Sequence, residues 1–458
     1  MQAKQIQPAT PIQQETHSDK PMQPQNGVSA LEYFNLSTHR THAGVTPITG
    51  PSEHELRLIF LRAVEIALAR SPEVLRFQAE RDAAGSDVDE AKGQRWPQID
   101  IGTQSSGIAF GGGTKNTRDG AGINVAISTI LFDWGRIDKT INSRERLSDA
   151  ADDSLAAQIE ETSFEVVSTL IELGKQRLIG ERSQRFADRM NELVKMLAGI
   201  VAVDKGRSSE LTQAKARLLQ AQALTDAAKA KAREAEITLL KLVGEKQTPI
   251  PSGSEWNIKN VNLHQLIDAA HSHPALRKAN AEADAADLRA EAIRASSLPQ
   301  LNWVVGKNTA EDALGSQQAW QTSLNMSWAA FRGGSTRASE RAALSRASAG
   351  RQEAAQQIRD LEFRIRTAEN DARTQLERAQ LYKELSVESD RIRDAFYQQW
   401  YHLGRRSLLD VLTAESDHYG NQISEINNRF DGYQSIIRQY ASAGTLTGWL
   451  RAAQITGF

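Results

Sequence analysis

The chain has 458 residues, with 55 Lys and Arg against 57 Asp and Glu, a formal net charge of −2 and no cysteine. This balance offers no basic surface for a nucleic-acid partner. The lack of cysteine excludes disulfides, thiolate metal sites and a cysteine nucleophile. The sequence contains no run of about 18 apolar residues, so no transmembrane helix is predicted. Transmembrane β-strands stay compatible with this composition, because they need only about 9–11 residues with apolar side chains at alternate positions.

The N-terminal segment, residues 1–50, is rich in Gln, Pro, Thr and Ser. We expect it to be disordered or extended, because it has few apolar residues to bury. It contains no apolar stretch typical of a signal-peptide core. We interpret this as a missing or alternative start of the precursor.

A proline spacing occurs twice in the chain. Pro97 follows Pro72 by 25 residues and Pro299 follows Pro274 by 25 (97 − 72 = 299 − 274 = 25), with similar sequence around each pair. The offset of 202 residues (274 − 72 = 202) predicts two homologous halves. We place a first repeat at 51–243, an inter-repeat segment at 244–262, a second repeat at 263–442 and a C-terminal segment at 443–458.

After the second proline of each pair, apolar residues alternate with polar ones, which is typical of two-faced strands. Each half thus offers one hairpin. The glycine run at 111–113 does not fit a phosphate-binding loop, because no helix follows it and no Lys-Ser or Lys-Thr closes it. The predicted strands are at about 98–110 and 120–131 in the first half and about 299–309 and 318–329 in the second.

Beyond each hairpin the hydrophobic period becomes helical and no proline interrupts it. A helix at about 137–203 would have about 67 residues and a length of about 100 Å. Such a length is typical of coiled coils and long bundles. We predict long helices at about 137–203 and 335–402 and return helices at about 208–243 and 407–442.

Four strands per chain are too few for a transmembrane barrel, whose smallest usual count is about eight, and an open edge cannot lie in lipid. Either the hairpins lie on a soluble core, or several chains pool their strands. Two chains would give 2 × 4 = 8 strands and three would give 3 × 4 = 12. Tryptophan placement favours a membrane, because tryptophan concentrates at bilayer interfaces. Five tryptophans lie in or beside the predicted strands: Trp96, Trp134, Trp303, Trp320 and Trp328.

The chain resembles the TolC family of outer-membrane channel proteins over about residues 53–450. The resemblance rests on the paired prolines, the Leu-Phe-Asp-Trp-Gly-Arg element at 131–136, Phe-Arg-Gly-Gly at 331–334 and the stretch Gly-Arg-Arg-Ser-Leu-Leu-Asp-Val-Leu-Thr-Ala at 404–414. It implies a mainly α fold with a small β part, a homotrimer with a shared twelve-stranded barrel among outer-membrane lipids, and a long α-helical tunnel across the periplasm. The segments 244–262 and 443–458 would form a band around the tunnel. No cofactor is implied.

The resemblance also implies a closed gate near the helical tips, lined by acidic side chains. The matching positions are Tyr401, Arg406, Asp410 and Thr413, with Glu210 in the corresponding turn of the first half. Thr413 departs from the pattern, since some members carry a second aspartate there. One carboxylate ring should select cations less sharply than two. The alternative for Asp410 and Glu210 is a solvated acid favoured by the helix dipole.

The tips would meet a periplasmic adaptor and an energised inner-membrane pump, with Gly206, Arg207, Gly404 and Arg405 at the contact. An ABC transporter as the pump would mean type I protein secretion, which the turn at 204–211 and the lack of a lipid-bearing cysteine favour. A proton-driven pump would mean efflux of drugs or other small molecules. A soluble periplasmic coiled-coil adaptor is a further alternative. No catalytic motif, such as His-Glu-x-x-His or a nucleophile elbow, occurs.

Overall fold

The computed structural model describes residues 50–104, 122–245, 249–251, 253–309 and 319–455, and in this part the chain is mainly helical with one small sheet, as predicted. The expected disorder at 1–49, the glycine run, the predicted strand residues 105–110, 120–121 and 318, and residues 456–458 lie outside the described residues. The helices are α1 Glu53–Arg70, α2 Pro72–Gly93, α3 Arg136–Val203, α4 Ser208–Val243, α5 Leu263–Ala270, α6 Pro274–Ala295, α7 Ser335–Tyr401, α8 Leu408–Ser442 and α9 Leu446–Ile455, and the strands are β1 Gln98–Gln104, β2 Gly122–Phe132, β3 Gln300–Asn308 and β4 Gln321–Ser327.

The repeated prolines begin equivalent helices. α2 starts at Pro72 and α6 at Pro274, and both helices have 22 residues. Proline suits the first helical turn, where its missing N–H has no partner to lose. The side chain of the preceding residue caps each helix: the Ser71 hydroxyl accepts the Val74 N–H at 3.3 Å, and His273 Nδ1 accepts the Ala275 N–H at 3.1 Å.

The two long helices follow the hairpins. α3 has 68 residues and α7 has 67, so each is about 100 Å long at about 1.5 Å per residue. Each begins after a glycine in the left-handed region, Gly135 at φ 76° and Gly334 at φ 85°. Within the described residues, none of the helices combines the length and the apolarity needed to cross a membrane.

The four strands form one antiparallel sheet in the order β1-β2-β3-β4. The central pair, β2 and β3, joins the two repeats. A register shift between Ile130 and Phe132 interrupts their ladder, so Phe132 lies opposite Leu301 at the end nearest the helices. Both hairpins therefore belong to one sheet.

The main core lies where α1, α9 and the inter-repeat segment pack against α3 and α8. Trp256 of the inter-repeat segment is its centre: the indole stacks on Tyr433 with ring centroids 5.9 Å apart and meets Phe430 edge-on at 4.9 Å. The backbone N–H of Trp256 also donates to the Tyr433 hydroxyl at 2.9 Å. Both segments predicted to form a band thus lie against the long helices, and the band around a tunnel stays a prediction.

Candidate channel elements

The sheet has one apolar and one polar face. Ile99 lies opposite Ile127, which lies opposite Val305 in the next strand, and Trp303 lies opposite Leu324. Because side chains alternate between the faces of a strand, these apolar residues share one face. An apolar outer face and a polar inner face are typical of transmembrane barrels. The other face has Ile130 and Val304 as apolar exceptions and carries mainly polar and small residues: Asp100, Gly102, Asn124, Ser128, Asn302, Gly306, Ser323 and Asn325.

The five tryptophans predicted as membrane-interface residues are between 42% and 71% exposed, and four of them flank the sheet while Trp303 lies within β3. Trp96, Trp134 and Trp328 lie within two residues of the strand ends nearest the helices, and Trp320 lies at the opposite end. Trp320 and Trp328 are eight positions apart along extended chain, with the seven residues of β4 between them, which corresponds to about 26 Å at about 3.3 Å per residue. At the strand tilt of about 35–45° in outer-membrane barrels, this length spans about 19–22 Å across the membrane, which fits within their apolar band of about 25 Å.

The first helical tip joins α3 to α4 through a short 3₁₀ turn at Lys205–Arg207. The Asp204 side chain accepts the Gly206 N–H at 2.9 Å and closes the turn. Arg207 pairs with Glu210 at 2.7 Å, within the first turn of α4. The Arg207 guanidinium also lies 5.7 Å from the ring of Trp400, near the end of α7. The first tip therefore contacts the helical hairpin formed by α7 and α8, which is the second helical hairpin of the chain.

The second tip joins α7 to α8 and is capped at the start of α8. The Asp410 carboxylate accepts the Ser407 N–H at 3.1 Å while the Ser407 hydroxyl accepts the Asp410 N–H at 3.2 Å, which is a reciprocal capping box. Hydrogen bonding of the Asp410 carboxylate to the backbone N–H of Ser407 and then to the Ser407 side chain, with a smaller effect from the Arg406 charge, holds the pKa of Asp410 below its ordinary value. Asp410 therefore keeps its negative charge under mildly acidic conditions. Gly404 takes a φ of 58° in the connecting turn.

Aromatic residues support the second tip. Tyr401 stacks on Tyr397 with ring centroids 5.9 Å apart, and the Arg406 guanidinium lies 4.2 Å from the ring of Phe396. Arg406 also donates from Nε to the Gln399 side chain at 3.1 Å. Tyr401, the last residue of α7, and Arg406, which follows it, thus both contact side chains of the last turns of α7.

The structure brings only some predicted gate residues together. Arg406 and Asp410 interact electrostatically within one turn. Glu210 pairs with Arg207 on its own tip, and Thr413 is exposed on α8. Among the described residues, no hydrogen bond or ion pair joins Glu210 or Thr413 to the other three positions, Tyr401, Arg406 and Asp410. The proposed adaptor contacts Gly404 and Arg405 lie exposed in the second tip, as does Gly206 in the first.

Sequence reasoning missed a buried acid next to this region. Glu415 of α8 is 3% exposed and lies between Arg189 of α3 and Arg393 of α7. Its helical spacing contains a signal, since Leu408 and Leu412 precede it on the buried face of α8. A charged residue in an apolar stripe is one that needs a partner.

Known proteins match this chain over most of its length. The family model of the outer membrane efflux protein matches residues 63–245 and 266–445, one segment in each repeat. The chain is 22% identical over 345 residues to the outer membrane efflux protein BepC of Brucella suis biovar 1, covering 73% of each protein. It is 27% identical over 331 residues to protein CyaE of Bordetella pertussis, covering 67% of each.

Solved channel structures share the fold. The outer-membrane channel OprN superposes with a TM-score of 0.76 at 20% identity, over 88% of this chain and 94% of that one. The outer membrane protein VceC of Vibrio cholerae gives 0.75 at 15% identity, over 86% of this chain and 99% of that one. The chain therefore belongs to the outer membrane efflux protein family: it is an outer-membrane channel protein with a large periplasmic helical part, and not an enzyme or a soluble adaptor.

Proposed function

We propose that three copies of this chain form a channel-tunnel that carries exported material through the outer membrane and across the periplasm. The observation that supports this is the open sheet: β1 pairs only with β2 and β4 only with β3 among the described strands. Unpaired N–H and C=O groups of an edge strand cannot lie in lipid. Pairing β4 of one copy with β1 of the next closes the sheet, and three copies give 3 × 4 = 12 strands.

The long helices also leave edges that suit neighbouring copies. α4 packs mainly on α3, and α7 mainly on α6 and α8. Exposed apolar residues follow both helices, with Leu219 at 67% and Ile237 at 57% on α4 and Leu381 at 62% and Ile392 at 48% on α7. Extended exposed apolar surface is typical of protein contacts. In the trimer, α7 of one copy would cover α4 of the next.

Detergent extraction tests this assembly. We expect a membrane-bound particle of three chains, 3 × 50.5 = 151.5 kDa of protein, that conducts ions in planar bilayers. Recovery of the protein as a soluble monomer without detergent would overturn the proposal. Light scattering with refractive-index detection separates the protein mass from the bound detergent.

For cargo, we propose type I protein secretion, with an ABC transporter and a periplasmic adaptor that binds the tips around Gly206, Arg207, Gly404 and Arg405. The resemblance of the turn at 204–211 to secretion-type members supports this. The closed gate would be formed by Tyr401, Arg406, Asp410 and Thr413, with Glu210 beside it. The capping box at Asp410 supports this placement, because it fixes a charged carboxylate at the tip.

A second candidate is efflux of small molecules with a proton-driven pump, which the name of the relative BepC favours. Deletion of the gene separates the two. Loss of a secreted protein from the culture medium with unchanged drug susceptibility would favour secretion. Increased drug susceptibility with an unchanged set of secreted proteins would favour efflux. Chemical cross-linking followed by mass spectrometry would then identify the pump.

A further inference from the structure

A buried carboxylate joins the two long helices, α3 and α7, to the return helix α8 near the tips. Glu415 of α8 is 3% exposed. Its Oε1 accepts from Arg189 Nε of α3 at 3.0 Å, and its Oε2 lies 3.7 Å from Arg393 Nη1 of α7. The two arginine side chains are themselves only 17% and 22% exposed. Glu415, in the helical hairpin of α7 and α8, is thus paired with one arginine from each repeat.

Because Glu415 is buried, its carboxylate depends on the two arginines for compensation of its charge. A carboxylate removed from water needs a partner charge, and removing one member of a buried pair leaves the other uncompensated. Arg189 is held from a second side as well, since Glu192 lies 3.5 Å away on the same helix. Arg393 is held by Asp390 at 2.8 Å. Each arginine therefore also pairs with an exposed carboxylate on its own helix.

The group connects directly to the tip. The Arg189 guanidinium lies 5.1 Å from the ring of Tyr397, which stacks on Tyr401 at 5.9 Å. On the side away from the tip, the contact between α3 and α8 continues through Tyr419, which stacks on Phe186 at 4.5 Å. Glu415 thus lies between a firmly packed aromatic pair and the residues predicted to form the gate.

We propose that Glu415 is a positioning residue for the gate: with Arg189 and Arg393 it holds the tip of the second hairpin against α3 and so sets the closed arrangement. This rests on the proposed channel function. Moving α7 and α8 together away from α3 requires the ion pair between Arg189 and Glu415 to break, whereas the Arg393 pair joins α7 to α8 and keeps Glu415 in place. Opening is then resisted by Glu415 in addition to the tip residues themselves.

Glu415→Gln tests the inference, because glutamine keeps the size of the side chain and removes its charge. The chain has no cysteine, so spin labels can be placed on Lys205→Cys and His402→Cys, one at each tip. Labelled chains are diluted into unlabelled ones so that each oligomer carries one pair. We expect the tip-to-tip distance to lengthen by several ångströms and its distribution to broaden, with more frequent channel openings in planar bilayers.

A second label pair, Glu165→Cys and Arg438→Cys, reports on α3 and α8 far from the tip and should not change. The matched control is Glu388→Gln on α7, whose carboxylate is 60% exposed and pairs with Arg391 at 2.7 Å; its tip distance should equal that of the parent. If Glu415→Gln does not fold, Arg189→Gln removes the α3 partner at 3.0 Å and should lengthen the tip distance in the same direction.

An unchanged tip distance in folded Glu415→Gln overturns the inference, as does an equal change in Glu388→Gln. A lengthened distance at both label pairs also overturns it, since that result indicates general loosening and not positioning of the tip. If the parent protein fails to conduct, the proposed function is wrong. The label distances still decide whether Glu415 positions the tip, because they do not depend on conduction.

Discussion

The indole N–H of Trp134 donates a hydrogen bond of 2.8 Å to the backbone carbonyl of Pro299. Trp134 follows β2 in the first repeat, and Pro299 precedes β3 in the second. Trp134 also has a φ of 58°, a left-handed conformation that costs a non-glycine residue about 1–2 kcal/mol. The hydrogen bond and an edge-on contact with Phe132 at 5.0 Å hold it there. This contact fixes the two repeats to each other where the helices meet the sheet.

We therefore expect Trp134→Phe to lower the free energy of unfolding by about 1 kcal/mol, because phenylalanine keeps a ring but leaves the Pro299 carbonyl without its donor. Thermal unfolding in detergent, followed by circular dichroism, measures the effect. Trp96→Phe is the control, since the indole N–H of Trp96 has no partner among the described residues. Equal melting temperatures for the two variants would contradict the prediction.

Much of the fold could be predicted because its signals are local. Proline at the first turn marked the starts of α2 and α6, and alternation marked the apolar face that carries Ile99 and Leu324. The contact between Trp134 and Pro299 could not be predicted, because 165 residues separate them and no local pattern encodes which carbonyl an indole reaches. Pairing of the two hairpins into one sheet is non-local in the same way.

In the candidate site, too, local features could be predicted from the sequence and long-range contacts could not. The capping box of Asp410 is visible as Ser-x-x-Asp before an apolar run. The position of Glu415 is visible as an acid at helical spacing from Leu412. Its partners are not, because the chain has many arginines and only the packing of α3, α7 and α8 selects Arg189 and Arg393.

The close contact of α3 with Trp256 predicts a second effect. A Cβ added at Gly174 would lie 3.0 Å from indole carbons of Trp256 and 3.3 Å from the ring of Phe430. We expect Gly174→Ala to lower the free energy of unfolding by about 1–3 kcal/mol, as overpacking does. Thermal unfolding in detergent measures it.

Gly199→Ala on the same helix is the matched control. A Cβ there meets nothing within 4 Å, so alanine should stabilise the helix by about 0.5–1 kcal/mol through its lower backbone entropy. Two shifts of the same sign and size would show that the contact with Trp256 does not decide the result.

The charge of Asp410 predicts ion preference. Asp410→Asn keeps an acceptor for the Ser407 N–H but removes the carboxylate charge, so the preference of the channel for cations should fall. Since the pKa of Asp410 is lowered, the parent channel should keep its preference as the solution becomes mildly acidic. Reversal potentials in planar bilayers measure both effects. Asp226→Asn, at an exposed position of α4, should leave the preference unchanged, and equal preference in Asp410→Asn would count against a place in the gate.

Glu160 of α3 predicts that stability depends on pH where the C-terminal helix α9 packs on α3. Its carboxylate accepts the backbone N–H of Leu446 at 3.1 Å and both the N–H and the hydroxyl of Thr447. Burial nevertheless raises the pKa of Glu160, and these hydrogen bonds oppose the shift only in part. α9 is therefore attached to α3 through a carboxylate that ionises less readily in the folded chain than in the unfolded one.

A raised folded-state pKa means that the stability linked to the protonated form is fully present below the unfolded value of 4.5 and is lost as pH rises through the folded value. Glu160→Gln lacks this titration. The melting temperature of the parent minus that of Glu160→Gln should therefore decrease from about pH 4 to about pH 8. Glu161→Gln, at the exposed neighbouring position, should show no such trend. A difference that stays constant or grows with pH would contradict the raised pKa, because only a carboxylate harder to ionise when folded makes the parent lose stability on deprotonation.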